Sequence, residues 1–161
     1  MTTPFRITTV CTGNICRSPM AEFMVAQAAQ QAGVDVVADS AGISAWEVGN
    51  PIDPRARGVL ARHGIAASHH TARQFDPAWF AERELILALD TDHFHALQAL
   101  APTREAAGKV RMLRSFDPEV SGAGMQQQGI YDPWYGDDKD FDASWQLIAA
   151  AIPGILAHAR G

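Results

Sequence analysis

Cysteine is nearly absent from this chain of 161 residues: there are two, Cys11 and Cys16, both in one short stretch. Two thiols so close together cannot tie distant parts of a fold to each other, which excludes a structural disulfide framework. Positive charge is also scarce. Lys and Arg number 13 against 18 Asp and Glu, a net charge of −5 at pH 7, so no basic surface argues for a nucleic-acid partner. No apolar run reaches membrane-spanning length, and the opening Met1-Thr2-Thr3-Pro4-Phe5-Arg6 lacks the apolar core of a signal peptide. A cytoplasmic protein with no membrane partner is expected. Metal-ligand spacing is missing too. His69 and His70 are adjacent and His93 and His95 two apart, with no third ligand at zinc spacing. The acidic run Asp137-Asp138-Lys139-Asp140-Phe141-Asp142 lacks the calcium-loop pattern and reads as a solvated helix start. No metal and no cofactor is therefore expected.

What is present is an ordinary globular balance, 47% apolar and 19% charged. With no internal repeat and no linker, residues 1–161 read as one domain with one good core. Strand and helix patterns alternate. Phe5–Val10, Val34–Asp39, Glu84–Leu89 and Lys109–Leu113 read as strands; Pro19–Ala32, Asp53 to about His63, Thr91–Leu100 and Phe141–Ala159 read as helices, the last with a kink at Pro153. Such alternation predicts an α/β fold: a doubly wound, parallel, four-stranded sheet flanked by helices. Ligands in such sheets bind beyond the strand C-termini, where the strand order reverses.

The loop after the first strand, Cys11-Thr12-Gly13-Asn14-Ile15-Cys16-Arg17-Ser18-Pro19, lies at such an end. It leads from a β-branched strand into a run of helix formers, so unpaired N–H groups and the helix dipole converge there and favour a dianion such as phosphate. Gly13 permits close backbone approach, and Asn14 tolerates the left-handed conformation of a tight anion nest. Arg17 offers a planar fork for two phosphate oxygens, and Ser18 can donate to the Cys11 sulfur. A cysteine in this field is favoured as the nucleophilic thiolate. Cleaving a phosphate ester also requires a proton for the leaving oxygen. Asp132 is the candidate donor: it is flanked by Tyr131, Trp134 and Tyr135, whose rings can face a flat aromatic substrate. The alternative for Asp132-Pro133 is an ordinary turn.

The run Val10-Cys11-Thr12-Gly13-Asn14-Ile15-Cys16-Arg17-Ser18-Pro19-Met20-Ala21-Glu22 resembles the signature of the low-molecular-weight protein tyrosine phosphatases. The resemblance continues through Asp39-Ser40-Ala41-Gly42, Trp46, Asp53-Pro54-Arg55-Ala56, Arg62-His63-Gly64-Ile65 and His70-Thr71-Ala72-Arg73-Gln74. It ends with Arg114-Ser115-Phe116-Asp117-Pro118 and the second hallmark, Asp132-Pro133-Trp134-Tyr135-Gly136. Trp134 and the run from Leu113 to Pro118 look most like actinobacterial members.

The resemblance implies a metal-independent phosphotyrosine phosphatase working through a phosphocysteine. Cys11, Arg17 and Asp132 would be catalytic, and Thr12, Gly13, Asn14, Ile15, Cys16, Arg17 and Ser18 would bind phosphate. Asn14, Ser18, His70 and Asp90 would support the loop. Ile15, Trp46, Trp134 and Tyr135 would form the substrate rim, although an isolated tryptophan such as Trp46 is more often a core residue. Ile15 itself favours phosphotyrosine, because the similar phosphoarginine-specific relatives carry threonine there. Cys16 would pair reversibly with Cys11 and shield it from over-oxidation. The partners would be phosphotyrosine-containing proteins and the enzyme a monomer, a weak dimer being the alternative. A phosphoarginine phosphatase is one competing reading. Another is an arsenate reductase on the same scaffold, which resembles a relay of three cysteines, and this chain has two.

Overall fold

A computed structural model describes residues 3–67 and 69–161; Met1 and Thr2, from the segment read as lacking a leader, lie outside the described residues. Four strands, β1 (Phe5–Cys11), β2 (Val36–Gly42), β3 (Leu85–Ala88) and β4 (Val110–Met112), pair in parallel in the order β2-β1-β3-β4. Among the described residues, five α-helices connect or cover them: α1 (Arg17–Ala32), α2 (Pro54–Arg62), α3 (Thr91–Leu100), α4 (Arg104–Ala107) and α5 (Asp138–Arg160).

Every strand of a parallel sheet is covered on both faces, and the side chains divide accordingly. On β3, Leu85 and Leu87 join the core shared with Met20 and Met24 of α1, Leu60 of α2 and Phe141, Ile148 and Ile155 of α5. Ile86 and Ala88 face the other way, against Leu97 of α3, Ala106 of α4 and Phe80. The sheet is thus doubly wound, as expected. From β1 the chain runs outward to β2 on one side, while β3 and β4 lie on the other, so the loop after β1 sits at the reversal of strand order.

The helix ends follow local chemistry. Gly33, with φ 69°, closes α1 in the left-handed cap that glycine adopts freely. Asp53 accepts from the Arg55 N–H and Pro54 opens α2; Asp90 accepts from the Thr91 N–H at the start of α3. Asp137 and Asp140 form a reciprocal capping box, so the acidic run does begin a helix, at Asp138 rather than Phe141.

Boundaries differ from expectation in several elements, α1 and β2 among them. α1 begins at Arg17, two residues before Pro19, because the loop tightens directly into helix around the anion nest. β2 lies later than Val34–Asp39, since its pairing with β1 carries it to Gly42 opposite Cys11. α5 is one helix from Asp138 to Arg160 with Pro153 inside it, and Ile148, Ile152 and Ile155 are buried along its apolar side. Short helical turns at Pro77–Ala81, Leu113–Phe116, Met125–Gln128 and Pro133–Tyr135, and the brief α4, have too few residues to show a periodic pattern. Among the described residues no helix is long and apolar enough to cross a membrane.

Candidate active site

Cys11 ends β1, where it is buried, and Arg17 opens α1; the five residues between them form a tight nest. Asn14 makes it possible, being the one non-glycine with positive φ, 63°, among the described residues. Close backbone approach is needed at Gly42, where a Cβ would fall 2.6 Å from the Thr12 carbonyl oxygen and 3.1 Å from the Gly13 carbonyl carbon. Gly13 has a different reason: its Cβ would meet the Glu47 side chain at 3.0 Å.

Hydrogen bonds give the nest a direction. The Arg73 backbone N–H donates to Asn14 Oδ1 at 3.0 Å, so the amide cannot flip. Asn14 Nδ2 must then supply both of its protons, to Ser18 Oγ at 2.8 Å and Ser40 Oγ at 2.9 Å. Each hydroxyl, having accepted, donates onward: Ser40 to Glu22 Oε1 at 2.6 Å and Ser18 to Cys11 Sγ at 2.9 Å. The Ser18 backbone N–H also points at that sulfur, at 3.4 Å. The sulfur is therefore an acceptor, which suits a thiolate. His70 Nε2 donates to the Asn14 carbonyl at 2.7 Å and braces the same residue from outside. Burial lowers the His70 pKa; the Asn14 carbonyl opposes the shift and Arg73 adds to it. Burial raises the Glu22 pKa, only partly offset by the Ser40 hydrogen bond.

Arg17, 4% exposed, is held by the Ile130 carbonyl at 2.8 Å and lies 3.7 Å from Asp90. Its Nη2 is 3.4 Å from the Asp132 carboxylate, and its buried Nε has no partner among the described residues. Asp132 caps the turn Pro133–Tyr135 by accepting from the Trp134 N–H, so the turn and the carboxylate facing Arg17 coexist. Arg55 ties this turn to α2. It pairs with Asp53 at 3.0 Å and donates to the carbonyls of Gly136, at 3.0 Å, and Trp134, at 3.3 Å. Burial alone would raise the Asp53 carboxyl, but hydrogen bonds from Arg55 outweigh it and hold that carboxyl below its ordinary value.

One cavity gathers these parts. Cys11, Thr12, Gly13, Ile15, Cys16 and Arg17 form its floor, Asp132 one side, and Trp46, Glu47, Trp134 and Tyr135 its mouth. Trp46 is 82% exposed, so it is a rim residue and not a core one. Cys16 is a buried free thiol, pushed well up by burial and then by the Asp53 and Cys11 charges. The structure thus brings together the loop, Asp132 and the rim, with His70 and Asp90 behind them. Sequence reasoning assigned no role to Ser40, Glu22, Arg73 or Arg55, and none to His93, whose Nε2 lies 2.9 Å from Thr12 Oγ1. These five residues come from four elements and one loop, and no spacing marks them. Among the described residues, no group of three or more His, Cys, Asp or Glu side chains could hold a metal ion.

Residues 6–160 match the family model described as low molecular weight phosphotyrosine protein phosphatase. The chain is 46% identical over 158 residues to a low molecular weight protein-tyrosine-phosphatase of Streptomyces coelicolor, spanning 97% of this chain and 94% of that one. It is 43% identical to low molecular weight protein-tyrosine phosphatase A of Mycobacterium tuberculosis, spanning 96% and 91%. The crystal structure of the Entamoeba histolytica protein tyrosine phosphatase with Hepes in its active site superposes with a TM-score of 0.87. It is 25% identical and covers 97% of each chain.

Proposed function

This chain belongs to the low molecular weight phosphotyrosine protein phosphatase family, and on that premise we propose a division of labour among its residues. It is a cysteine-based phosphatase whose substrates are phosphoproteins. The Cys11 thiolate attacks phosphorus in line while the phosphorus–oxygen bond to the tyrosine breaks. Asp132 gives its proton to the departing oxygen. The loop amides and Arg17 hold the remaining phosphoryl oxygens, whose charge they match. In the second half, Asp132 takes a proton from water. The water oxygen bonds phosphorus, the phosphorus–sulfur bond breaks, and the thiolate returns, steadied by Ser18. The aromatic mouth selects a flat phenolic ester, and Ile15 on the floor favours phosphotyrosine over phosphoarginine. Arsenate reduction by an internal relay would need a third cysteine, which the chain does not contain. We place the enzyme in the cytoplasm as a single-domain monomer over residues 1–161, needing no metal.

The observation that supports this reading most is the acceptor role of Cys11 Sγ, set by the Asn14–Ser18 hydrogen bonds, at the floor of a cavity shared with Arg17 and Asp132. A substrate panel tests it. Phosphotyrosine peptides should turn over in the presence of EDTA, phosphoserine and phosphoarginine should do so far more slowly, and Cys11→Ser should be inactive yet folded. Turnover by Cys11→Ser at a tenth of the wild-type rate would exclude Cys11 as nucleophile.

A further inference from the structure

One buried titratable side chain touches the phosphate loop and has no part in the scheme above. His93 lies three residues beyond the Asp90 cap of α3, 2% exposed, with Nε2 at 2.9 Å from Thr12 Oγ1. Its Nδ1 is buried and has no hydrogen-bond partner among the described residues. Burial and the Arg17 guanidinium hold its pKa down to about 4, against the opposing charges of Asp92, Asp90 and Asp132. Near neutral pH the ring is therefore uncharged and carries a single proton.

That proton has two possible seats. On Nδ1 it would leave a buried N–H with no acceptor, while Thr12 donated to Nε2. On Nε2 it is donated to Thr12 Oγ1, and the orphan is a bare lone pair. Orphaned buried N–H groups are rarer than under-satisfied acceptors, so the second arrangement is favoured. Thr12 Oγ1 has then accepted from His93, and its own proton has no acceptor on the protein among the described residues. Thr12 lines the cavity beside Cys11.

We propose that the Thr12 side-chain hydroxyl, in addition to the loop amides, contacts the substrate. Turned toward the cavity by His93, it donates a hydrogen bond to an oxygen on the bound phosphorus, and His93 is its positioning residue. This rests on the reading of the cavity as a phosphate-ester site.

Steady-state kinetics with p-nitrophenyl phosphate, together with inhibition by inorganic phosphate, test the proposal on Thr12→Val, Thr12→Ser, His93→Leu, His93→Gln and the Thr12→Val/His93→Leu double variant. Thr12→Val and His93→Leu should each lower kcat/KM, and raise the inhibition constant for phosphate, by roughly threefold to tenfold. Thr12→Ser keeps the hydroxyl and His93→Gln keeps an N–H donor, so both should recover most of the loss. The double variant should be no worse than Thr12→Val, because His93 acts through Thr12 alone. Losses that multiply in the double variant would overturn the proposal, as would Thr12→Val within twofold of wild type in both measurements. If His93→Leu does not fold, Thr12→Val against Thr12→Ser decides the hydroxyl. His93→Gln against wild type then decides the positioning, and a loss as large as that of Thr12→Val would overturn it. A wild-type protein that neither hydrolyses the ester nor is inhibited by phosphate would instead overturn the phosphatase reading itself.

Discussion

The Arg73 backbone N–H, 59 residues from Asn14 in sequence, donates to Asn14 Oδ1 at 3.0 Å and so sets the direction of the side-chain hydrogen bond from Ser18 to the Cys11 sulfur. Asn14→Asp isolates this effect, because aspartate also tolerates positive φ. A carboxylate cannot donate to Ser18 and Ser40. It would draw the Ser18 proton away from the sulfur and place a like charge close to the thiolate. Turnover of an aryl phosphate should fall roughly 10- to 100-fold, with the far-ultraviolet dichroism unchanged. A variant within twofold of wild type would show that the direction of the network does not matter to the nucleophile.

Gly42 is the tightest backbone contact of the nest. In Gly42→Ala the new methyl would meet the Thr12 carbonyl oxygen at 2.6 Å and the Asn14 nitrogen at 3.2 Å, both backbone atoms with no side-chain freedom. The loop must move, and a displacement near 1 Å at reacting groups costs on the order of 100-fold in rate. The expected variant is folded, slow and weakly inhibited by phosphate. Normal phosphate inhibition would mean that the loop had relaxed without losing its geometry.

Asp132 lies beside Arg17 at the cavity wall, where it can meet a leaving oxygen. Asp132→Asn should therefore lose roughly 100-fold or more with phenyl phosphate, and clearly less with p-nitrophenyl phosphate, whose leaving group needs little protonation. Equal losses on the two esters would remove Asp132 from the role of proton donor.

Stability should rise with pH between about 4 and about 6.5 through His93. Its pKa in the fold is about 4, against ~6.5 when unfolded. In that window the unfolded chain binds more protons than the native one, so acid favours unfolding. The full contribution is at most roughly 3 kcal/mol, and His70, also lowered by burial, acts in the same sense. Glu22, raised by burial, acts in the opposite sense, becoming less costly as it protonates toward lower pH. Denaturant titrations of wild type and His93→Gln across this range should show a shallower slope in the variant. Parallel curves would mean that His93 titrates freely in the folded protein.

Cys11 and Cys16 are both reduced and share one loop. Peroxide should convert Cys11 to a sulfenic acid, and attack by Cys16 sulfur should then expel water and close a disulfide that dithiothreitol reopens. Burial, followed by the Asp53 charge, pushes the Cys16 thiol up, so closure should quicken as pH rises and thiolate becomes available. Cys16→Ser that recovers from peroxide as fully as wild type would remove the protective role.

Much of this protein is decided locally. The alternation of strand and helix patterns determines a parallel doubly wound sheet, because apolar strands joined by helices can bury both faces in no simpler way. The Cys11–Pro19 run likewise carries the proposed nucleophile, the proposed anion nest and the guanidinium within one short stretch, so that reading of its chemistry needs no fold. What the tertiary structure decided is everything that depends on distant segments meeting. Nothing in the spacing of Arg73, Ser40 and Glu22 shows that they orient Asn14, since the bonds join residues brought together only by the β1–β2 pairing, the packing of α1 on β2 and the loop that crosses the strand ends. Trp46 reads locally as a core residue and is 82% exposed, because its loop is carried to the cavity mouth by hydrogen bonds from Ile43 and Ser44 to the carbonyls of Cys11 and Thr12. His93 reads as one more helix residue; only the packing of α3 beside the end of β1 puts its ring against Thr12. Hydrogen-bond direction is a property of a closed set of donors and acceptors, and that set exists only once the chain has folded.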